Sequence, residues 1–187
     1  MSIAAATPDA LRGVVRPTIR AERDGDRGAI AAVHEAAFAR PEEARLVDAL
    51  RAGGKAVVSL VAVADGAAGA VIVGHVLFSP MTIEGLGAAA CAGLAPVAVL
   101  PAYQRRGIGG ALVRAGLDAC RSAGHGAAVV LGDPAYYSRF GFVPARRFGL
   151  SSEYDAPADA FMALELRPGA LAGAGGLCRY AEEFRSV

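Results

Sequence analysis

The sequence has few cysteines, no long apolar run and almost no net charge, and each shortage excludes a class of protein. Its three cysteines, Cys91, Cys120 and Cys178, lie far apart, and no Cys-x-x-Cys pair occurs. They indicate neither a zinc site nor a disulfide framework. We therefore expect reduced, buried thiols in a cytoplasmic protein that binds no metal.

Membrane and nucleic-acid partners are also disfavoured. We expect no membrane-spanning helix, which needs roughly 20 predominantly apolar residues, because the longest uncharged stretches of the sequence are interrupted by several glycines and prolines. Residues 1–10 lack a basic segment followed by a leucine-rich core, so no secretory signal is expected. The net charge is +1 and the basic residues are scattered, whereas a nucleic-acid-binding surface needs concentrated positive charge.

The length of 187 residues fits one domain with a sizeable core. We expect a flexible leader over residues 1–16 and a single domain over 17–187. Apolar periodicity predicts the order β-α-α-β-β-β-α-β-α-β-β, a mixed α/β layout with a long antiparallel hairpin before a central βαβ unit. The predicted strands are 18–22, 57–64, 70–78, 90–99, 127–131, 142–143 and 161–166, and the helices 24–37, 41–52, 108–123 and 134–139, with irregular chain from 167 onward.

The most informative segment, residues 96–110, predicts a strand that continues into a glycine-rich turn and then a helix. Such a turn directs several backbone N–H groups at one point, and the helix dipole adds positive potential. The expected ligand is an anion, in particular a phosphate. Gly107 and Gly109 allow a close approach of the backbone, and Arg105 and Arg106 can add charge-assisted contacts.

Two common phosphate-binding turns do not fit this segment. A Walker A loop needs a Gly-Lys-Ser/Thr sequence, which occurs nowhere in the chain. A dinucleotide-binding turn needs Gly-x-Gly-x-x-Gly, but Leu112 stands where the third glycine would be. The pattern Gln/Arg-x-x-Gly-x-Gly/Ala matches Gln104–Gly109 at every specified position.

This pattern resembles that of the GNAT superfamily of N-acetyltransferases. A second segment, Tyr137 to Phe142, is similar to the Tyr-x-x-x-Gly-Phe segment of that family and follows after one helix and one strand. The resemblance covers about residues 17–166 and extends to a bacterial subgroup of acetyltransferases. It implies a GNAT-like fold, with a mostly antiparallel central sheet flanked by helices, and acetyl-CoA as co-substrate.

The resemblance also implies the site residues. The pyrophosphate of acetyl-CoA would bind the turn, and the pantetheine arm would pair with the preceding strand where that strand separates from its neighbour. Tyr137 stands where the family has a proton donor to the departing thiolate. A tyrosine pKa of about 10 against about 8.5 for a thiol permits that transfer. The implied cofactor-binding residues are Val97, Ala98, Val99, Gln104, Arg105, Arg106, Gly107, Ile108, Gly109 and Gly110.

The implied reaction is direct attack of an amine on acetyl-CoA, with a carboxylate or an ordered water taking the proton of the amine. Glu84, after the third strand, is the expected base, with Glu35 and Glu42 as alternatives. The acceptor is a small-molecule or protein amine, bordered by residues 34–51 and 79–84. The resemblance also allows a homodimer, because dimers are common in the family. A non-catalytic acyl-CoA sensor is the alternative function.

Overall fold

The computed structural model describes residues 17–66, 69–84 and 86–186, without the side chains of 86–90 and 186, so the predicted leader lies outside the described residues. The elements follow the predicted order, with two further short strands near the end. They are β1 Thr18–Ala21, α1 Arg27–Phe38, α2 Glu42–Ala52, β2 Val58–Gly66, β3 Gly69–Ile83, β4 Leu86–Val99, α3 Ile108–Ser122, β5 Ala127–Leu131, α4 Pro134–Tyr137, β6 Val143–Pro144, β7 Leu150–Ser152, β8 Phe161–Glu165 and β9 Gly176–Arg179.

The described strands form one nine-stranded sheet with the main order β1-β2-β3-β4-β5-β8-β6. Among these strands, β4 with β5 and β7 with β9 are parallel pairs, and the other pairs are antiparallel. Apolar residues of α1 and α2 pack on one face of the sheet, and those of α3 pack on the other. The predicted mixed α/β class is confirmed. No helix among the described residues is long and apolar enough to cross a bilayer.

The long hairpin extends further than the sequence predicted. β3 was expected to end at Phe78 and continues to Ile83. Phe78 is the last residue of β3 that pairs with β2, and Thr82 is the first that pairs with β9. Pro80 lies between them, where its missing N–H costs no hydrogen bond on that side. The first helix was predicted to begin at residue 24, but residues 24–26 form a 3-10 turn and α1 begins three residues later.

A network of buried and partly buried polar side chains joins α1 and α2 to the sheet. His34 Nε2 lies 2.8 Å from His75 Nδ1, and His75 Nε2 lies 2.8 Å from Ser59 Oγ. The Ser59 hydroxyl donates to Glu22, whose carboxylate also pairs with Arg51 at 2.7 Å. The two histidine side chains are fully buried. This hydrogen-bonded network therefore fixes the position of α1 and α2 on one face of the sheet.

Burial and hydrogen bonding set the protonation states of the side chains in this network. It lowers the pKa of His34 to about 3, with a further contribution from His75, and it also lowers the pKa of His75. Burial alone would raise the pKa of Glu22, but hydrogen bonds from His75 and Ser59 and the charge of Arg51 lower it to about 2. At neutral pH His34 and His75 are thus neutral, and Glu22 is ionised.

These pKa values predict a loss of stability in mild acid. A histidine whose folded pKa lies below its unfolded value near 6.5 contributes stability that is present above about pH 6.5 and is lost as the pH falls toward the folded pKa. The free energy of unfolding should fall below about pH 6.5, by up to about 1.4 kcal/mol per pH unit for each buried histidine. Urea unfolding at about pH 7.5 and 5.5 measures this.

The His34→Gln variant serves as the comparison, because it lacks one of the two titrating histidines. Its free energy of unfolding should change with pH about half as steeply as that of the wild-type protein. An unfolding free energy that does not change over this pH interval would contradict the neutral buried pair.

Candidate functional site

The site begins where β4 and β5 separate. The two strands pair only through Cys91–Gly93 and Ala127–Val129. Beyond that point β5 continues to Leu131 with β8 as its partner. At this point β4 has one extra residue relative to β3, since Ala95 and Pro96 both lie opposite Leu77. Such a bulge bends a strand away from its course, and a wedge opens between β4 and β5.

Backbone polar groups of β4 face this wedge. The Leu100 N–H donates to Val73 O of β3 at 2.9 Å, whereas Val99 O accepts a 3.0 Å bond from the Gln104 side chain on the open side. Successive residues of a strand direct their N–H and C=O groups to opposite sides. The backbone groups of Val97 and Val99 therefore point into the wedge, and those of Ala98 point toward β3.

The glycine turn stands at the end of β4. Arg105 and Gly107 have left-handed backbones, with φ of 59° and 83°, and α3 begins at the next residue, Ile108. Gly107 is the N-cap and offers no side chain to the first N–H groups of the helix. A Cβ added at Gly109 would lie 3.0 Å from the Tyr136 hydroxyl. The turn thus forms a narrow, positively polarised surface that requires glycine.

A first cavity of about 650 Å³ joins this turn to the end of β4. Among the described residues that line it none is acidic, and three are Arg105, Arg114 and Arg139. Arg114 lies 5.1 Å from the centroid of the Phe140 ring, and Arg139 lies 4.6 Å from that of Tyr136. Aromatic rings orient these guanidinium groups without neutralising them, so the cavity suits a multiply charged anion.

Most of the predicted cofactor-binding residues meet in this cavity. The cavity is lined by Val97, Val99, Gln104, Arg105 and the segment 107–110, but not by Ala98 or Arg106. Arg106 lies 5.6 Å from the Tyr103 ring centroid. Arg114 and Arg139 also line the cavity and were not among the predicted residues. The signal for Arg114 was its position four residues after Gly110, one helical turn along α3.

A second cavity of about 430 Å³ lies on the other side of the wedge. Val97 lines both cavities, so they meet at this residue of β4. The remaining walls come from separate segments of the chain: Phe38 and Leu46 of the first two helices, Leu131 of β5, and Tyr154 and Phe184 near the end.

The two adjacent tyrosines face different cavities. Tyr136 lines the first cavity, beside the turn, and Tyr137 lines the second. The Tyr137 ring packs over Gly132, where an added Cβ would overlap it. Burial, together with Tyr136, raises the pKa of Tyr137 to about 12. Its hydroxyl therefore keeps its proton at neutral pH.

The structure does not bring Glu84 to either cavity. Glu84 follows β3 at the far end of the hairpin, is exposed, and lies 3.4 Å from the Arg179 guanidinium. The acidic residue that lines the second cavity is Glu43, paired with Arg40. Glu43 shares the apolar face of α2, since it precedes Leu46 by three residues, and that spacing was the signal in the sequence. Among the described residues, no group of three His, Cys, Asp or Glu side chains is arranged to hold a metal ion.

Comparison with known proteins gives one consistent family. The family model described as "Acetyltransferase (GNAT) domain" matches residues 18–145. The chain is 38% identical over 166 residues to "Uncharacterized N-acetyltransferase YhbS" of Escherichia coli strain K12, covering 89% of this chain and 97% of that protein. Over 136 residues it is also 38% identical to "Uncharacterized N-acetyltransferase YjhQ" of the same strain, covering 71% and 73%.

Solved structures agree with these sequence matches. The crystal structure of YhbS from Escherichia coli in complex with CoA has a TM-score of 0.84 and 37% identity, and the match covers 91% of this chain and 93% of that one. A GNAT family acetyltransferase from Brucella melitensis in complex with acetyl-CoA has a TM-score of 0.72 and 39% identity, with 90% and 98% covered. The predicted GNAT-like fold is therefore confirmed.

Proposed function

The chain belongs to the GNAT family of acetyltransferases, and from that premise we propose that it transfers the acetyl group of acetyl-CoA directly to an amine bound in the second cavity. The observation that carries the proposal is the wedge between β4 and β5, with an arginine-lined anion site on one side and Tyr137 on the other. The relatives crystallised with CoA and with acetyl-CoA support the choice of donor.

The donor would occupy the first cavity as a substrate of the reaction. Its pyrophosphate would accept hydrogen bonds from the N–H groups at the start of α3, where Gly109 leaves room for it. Arg105, Arg114 and Arg139 supply positive charge around that position. The pantetheine arm would follow the wedge and use the free backbone groups of β4. This fit accounts for the glycines, the left-handed turn and the unneutralised arginines together.

Acetyl transfer forms a C–N bond to the acceptor and breaks the C–S bond of the thioester. The amine nitrogen attacks the thioester carbonyl, and an N–H of β4 near Val97 stabilises the developing oxyanion. The C–S bond then breaks, and Tyr137 gives its proton to the departing thiolate. The proton lost by the new amide nitrogen returns to the tyrosine through solvent, so the products are an N-acetylated amine and CoA. No covalent enzyme intermediate is required.

The amine must reach the thioester as the free base. Glu43 is held by Arg40, and no other described residue that lines the second cavity is charged, so an ammonium ion would find no free counter-charge there. We propose that the acceptor loses its proton to water before it reacts. The kcat/KM for the acceptor should then rise with pH by up to about tenfold per unit below the pKa of the acceptor amine.

Tyr137→Phe tests the proton donor. Turnover should fall by about 100-fold, the lower end of the gain from a positioned acid, while the affinity for acetyl-CoA changes little, because Tyr137 lines the second cavity and not the first. Stopped assays of CoA release and calorimetric titration measure the two quantities. Tyr180→Phe is the matched control, since it also removes a buried hydroxyl but lines neither cavity. Unchanged turnover in the Tyr137 variant would remove it from this role.

Gly109→Val tests the anion site. A valine side chain would collide with the Tyr136 hydroxyl and fill the space above the first N–H groups of α3, so the affinity for acetyl-CoA should fall by at least about tenfold. Gly28→Val is the matched control, because Gly28 is likewise the second residue of a helix and an added Cβ meets nothing within 4 Å. Normal acetyl-CoA affinity in the Gly109 variant would contradict the proposed donor site.

A further inference from the structure

We propose that the acceptor is a small primary amine attached to an apolar aromatic group, with neither a carboxylate nor a second cationic group. This inference rests on the proposed function and goes beyond it, because it names the chemistry that the second cavity selects. It is carried by three features of that cavity: exposed apolar side chains, aromatic walls, and a charge pair that leaves no free charge for a substrate.

The exposed apolar side chains are concentrated at this cavity. Among the described residues, three large hydrophobic side chains are more than a third exposed: Phe38 at 38%, Val71 at 41% and Leu131 at 37%. Two of the three, Phe38 and Leu131, line the second cavity. Apolar surface that a folded chain leaves together in a concave site marks a place where an apolar ligand binds.

The walls fit a ring rather than an extended chain. Phe38, Tyr154 and Phe184 contribute aromatic side chains, and Leu94 and Leu131 contribute branched aliphatic ones. These walls come from α1, β4, β5 and the C-terminal region, so they surround the space from several directions. A volume of about 430 Å³ lies in the range of small-molecule sites. A phenyl or similar ring can stack on these aromatic faces while its amine points to Val97.

The charged groups of the cavity neutralise each other. Among the described residues that line it, the charged ones are Arg40 and Glu43. Arg40 Nε lies 3.0 and 3.1 Å from the two carboxylate oxygens of Glu43, whose side chain is only 10% exposed. A substrate carboxylate or a second ammonium group would meet this neutral pair instead of an unpaired counter-charge. The transfer of either extra charge from water into the cavity would therefore be poorly compensated, so the cavity disfavours amino acids and polyamines.

An acetyl transfer assay with four matched amines tests this selection. The probes are 2-phenylethylamine, L-phenylalaninamide, L-phenylalanine and spermidine, with release of CoA as the signal. The first three share one ring and differ at the α-carbon, which carries hydrogen, a neutral amide or a carboxylate. We expect kcat/KM for 2-phenylethylamine to exceed that for L-phenylalanine and for spermidine by at least about 100-fold, with the amide between them.

Glu43→Gln provides a second, sharper measurement. The substitution keeps the size of the side chain and frees the Arg40 guanidinium to bind a carboxylate. The ratio of kcat/KM for 2-phenylethylamine to that for L-phenylalanine should fall by at least about tenfold, the worth of one charge-assisted hydrogen bond. Asp118→Asn is the matched control, because Asp118 also pairs with an arginine three residues away but lies on the exposed face of α3. It should leave the ratio unchanged.

The outcomes separate this inference from the proposed function. A preference of the wild-type protein for L-phenylalanine or spermidine, or a ratio that Glu43→Gln does not change, overturns the inference and leaves acetyl transfer in place. Faster transfer to a lysine-containing peptide than to 2-phenylethylamine also overturns it, in favour of a protein acceptor. Tight acetyl-CoA binding without transfer to any of these amines or the peptide overturns the proposed function itself.

Discussion

The separation of β4 from β5 after Gly93 is the constraint on which the whole site depends. Two neighbouring strands normally satisfy each other's backbone groups along their shared length. Here the extra residue of β4 at Ala95 and Pro96 bends the strand while β5 keeps its pairing with β8. The backbone groups of Val97 and Val99 are left facing a wedge instead of a partner strand. A closed pair would use those groups internally and would remove the junction at which the two cavities meet.

The two cavities differ in charge, and the difference matches the two halves of the reaction. On the first side, Arg114 and Arg139 rest on aromatic rings, which orient a guanidinium without cancelling its charge. On the second side, Arg40 is bound by Glu43 and its charge is cancelled. A highly charged donor and an acceptor without other charges can therefore occupy neighbouring sites. Val97, which lines both cavities, lies at the position where the acetyl group would pass between them.

Features that depend on neighbouring residues in the chain could be predicted from the sequence, and features that depend on distant segments could not. The left-handed turn at Gly107, the start of α3 and the cap formed by Asp133 are local, and the structure contains all three. Glu84 was expected at the cleft from the family resemblance, but β3 extends five residues beyond its predicted end at Phe78 and carries Glu84 to the far end of the hairpin. The walls of the second cavity come together only through the sheet, from segments more than a hundred residues apart, such as Phe38 and Phe184. The spacing of apolar residues within a single helix or strand does not indicate which distant segments come together to form these walls.

The central claim, that the two cavities are neighbouring halves of one site, is tested most directly with a single molecule that spans both. In such a conjugate, the sulfur of CoA is joined through an acetyl linker to the nitrogen of 2-phenylethylamine. The decisive measurement is its dissociation constant, determined by calorimetry beside that of CoA alone. Since the second group binds at a high effective concentration, the account predicts that the conjugate binds at least about 100-fold more tightly than CoA. An affinity equal to that of CoA would contradict it.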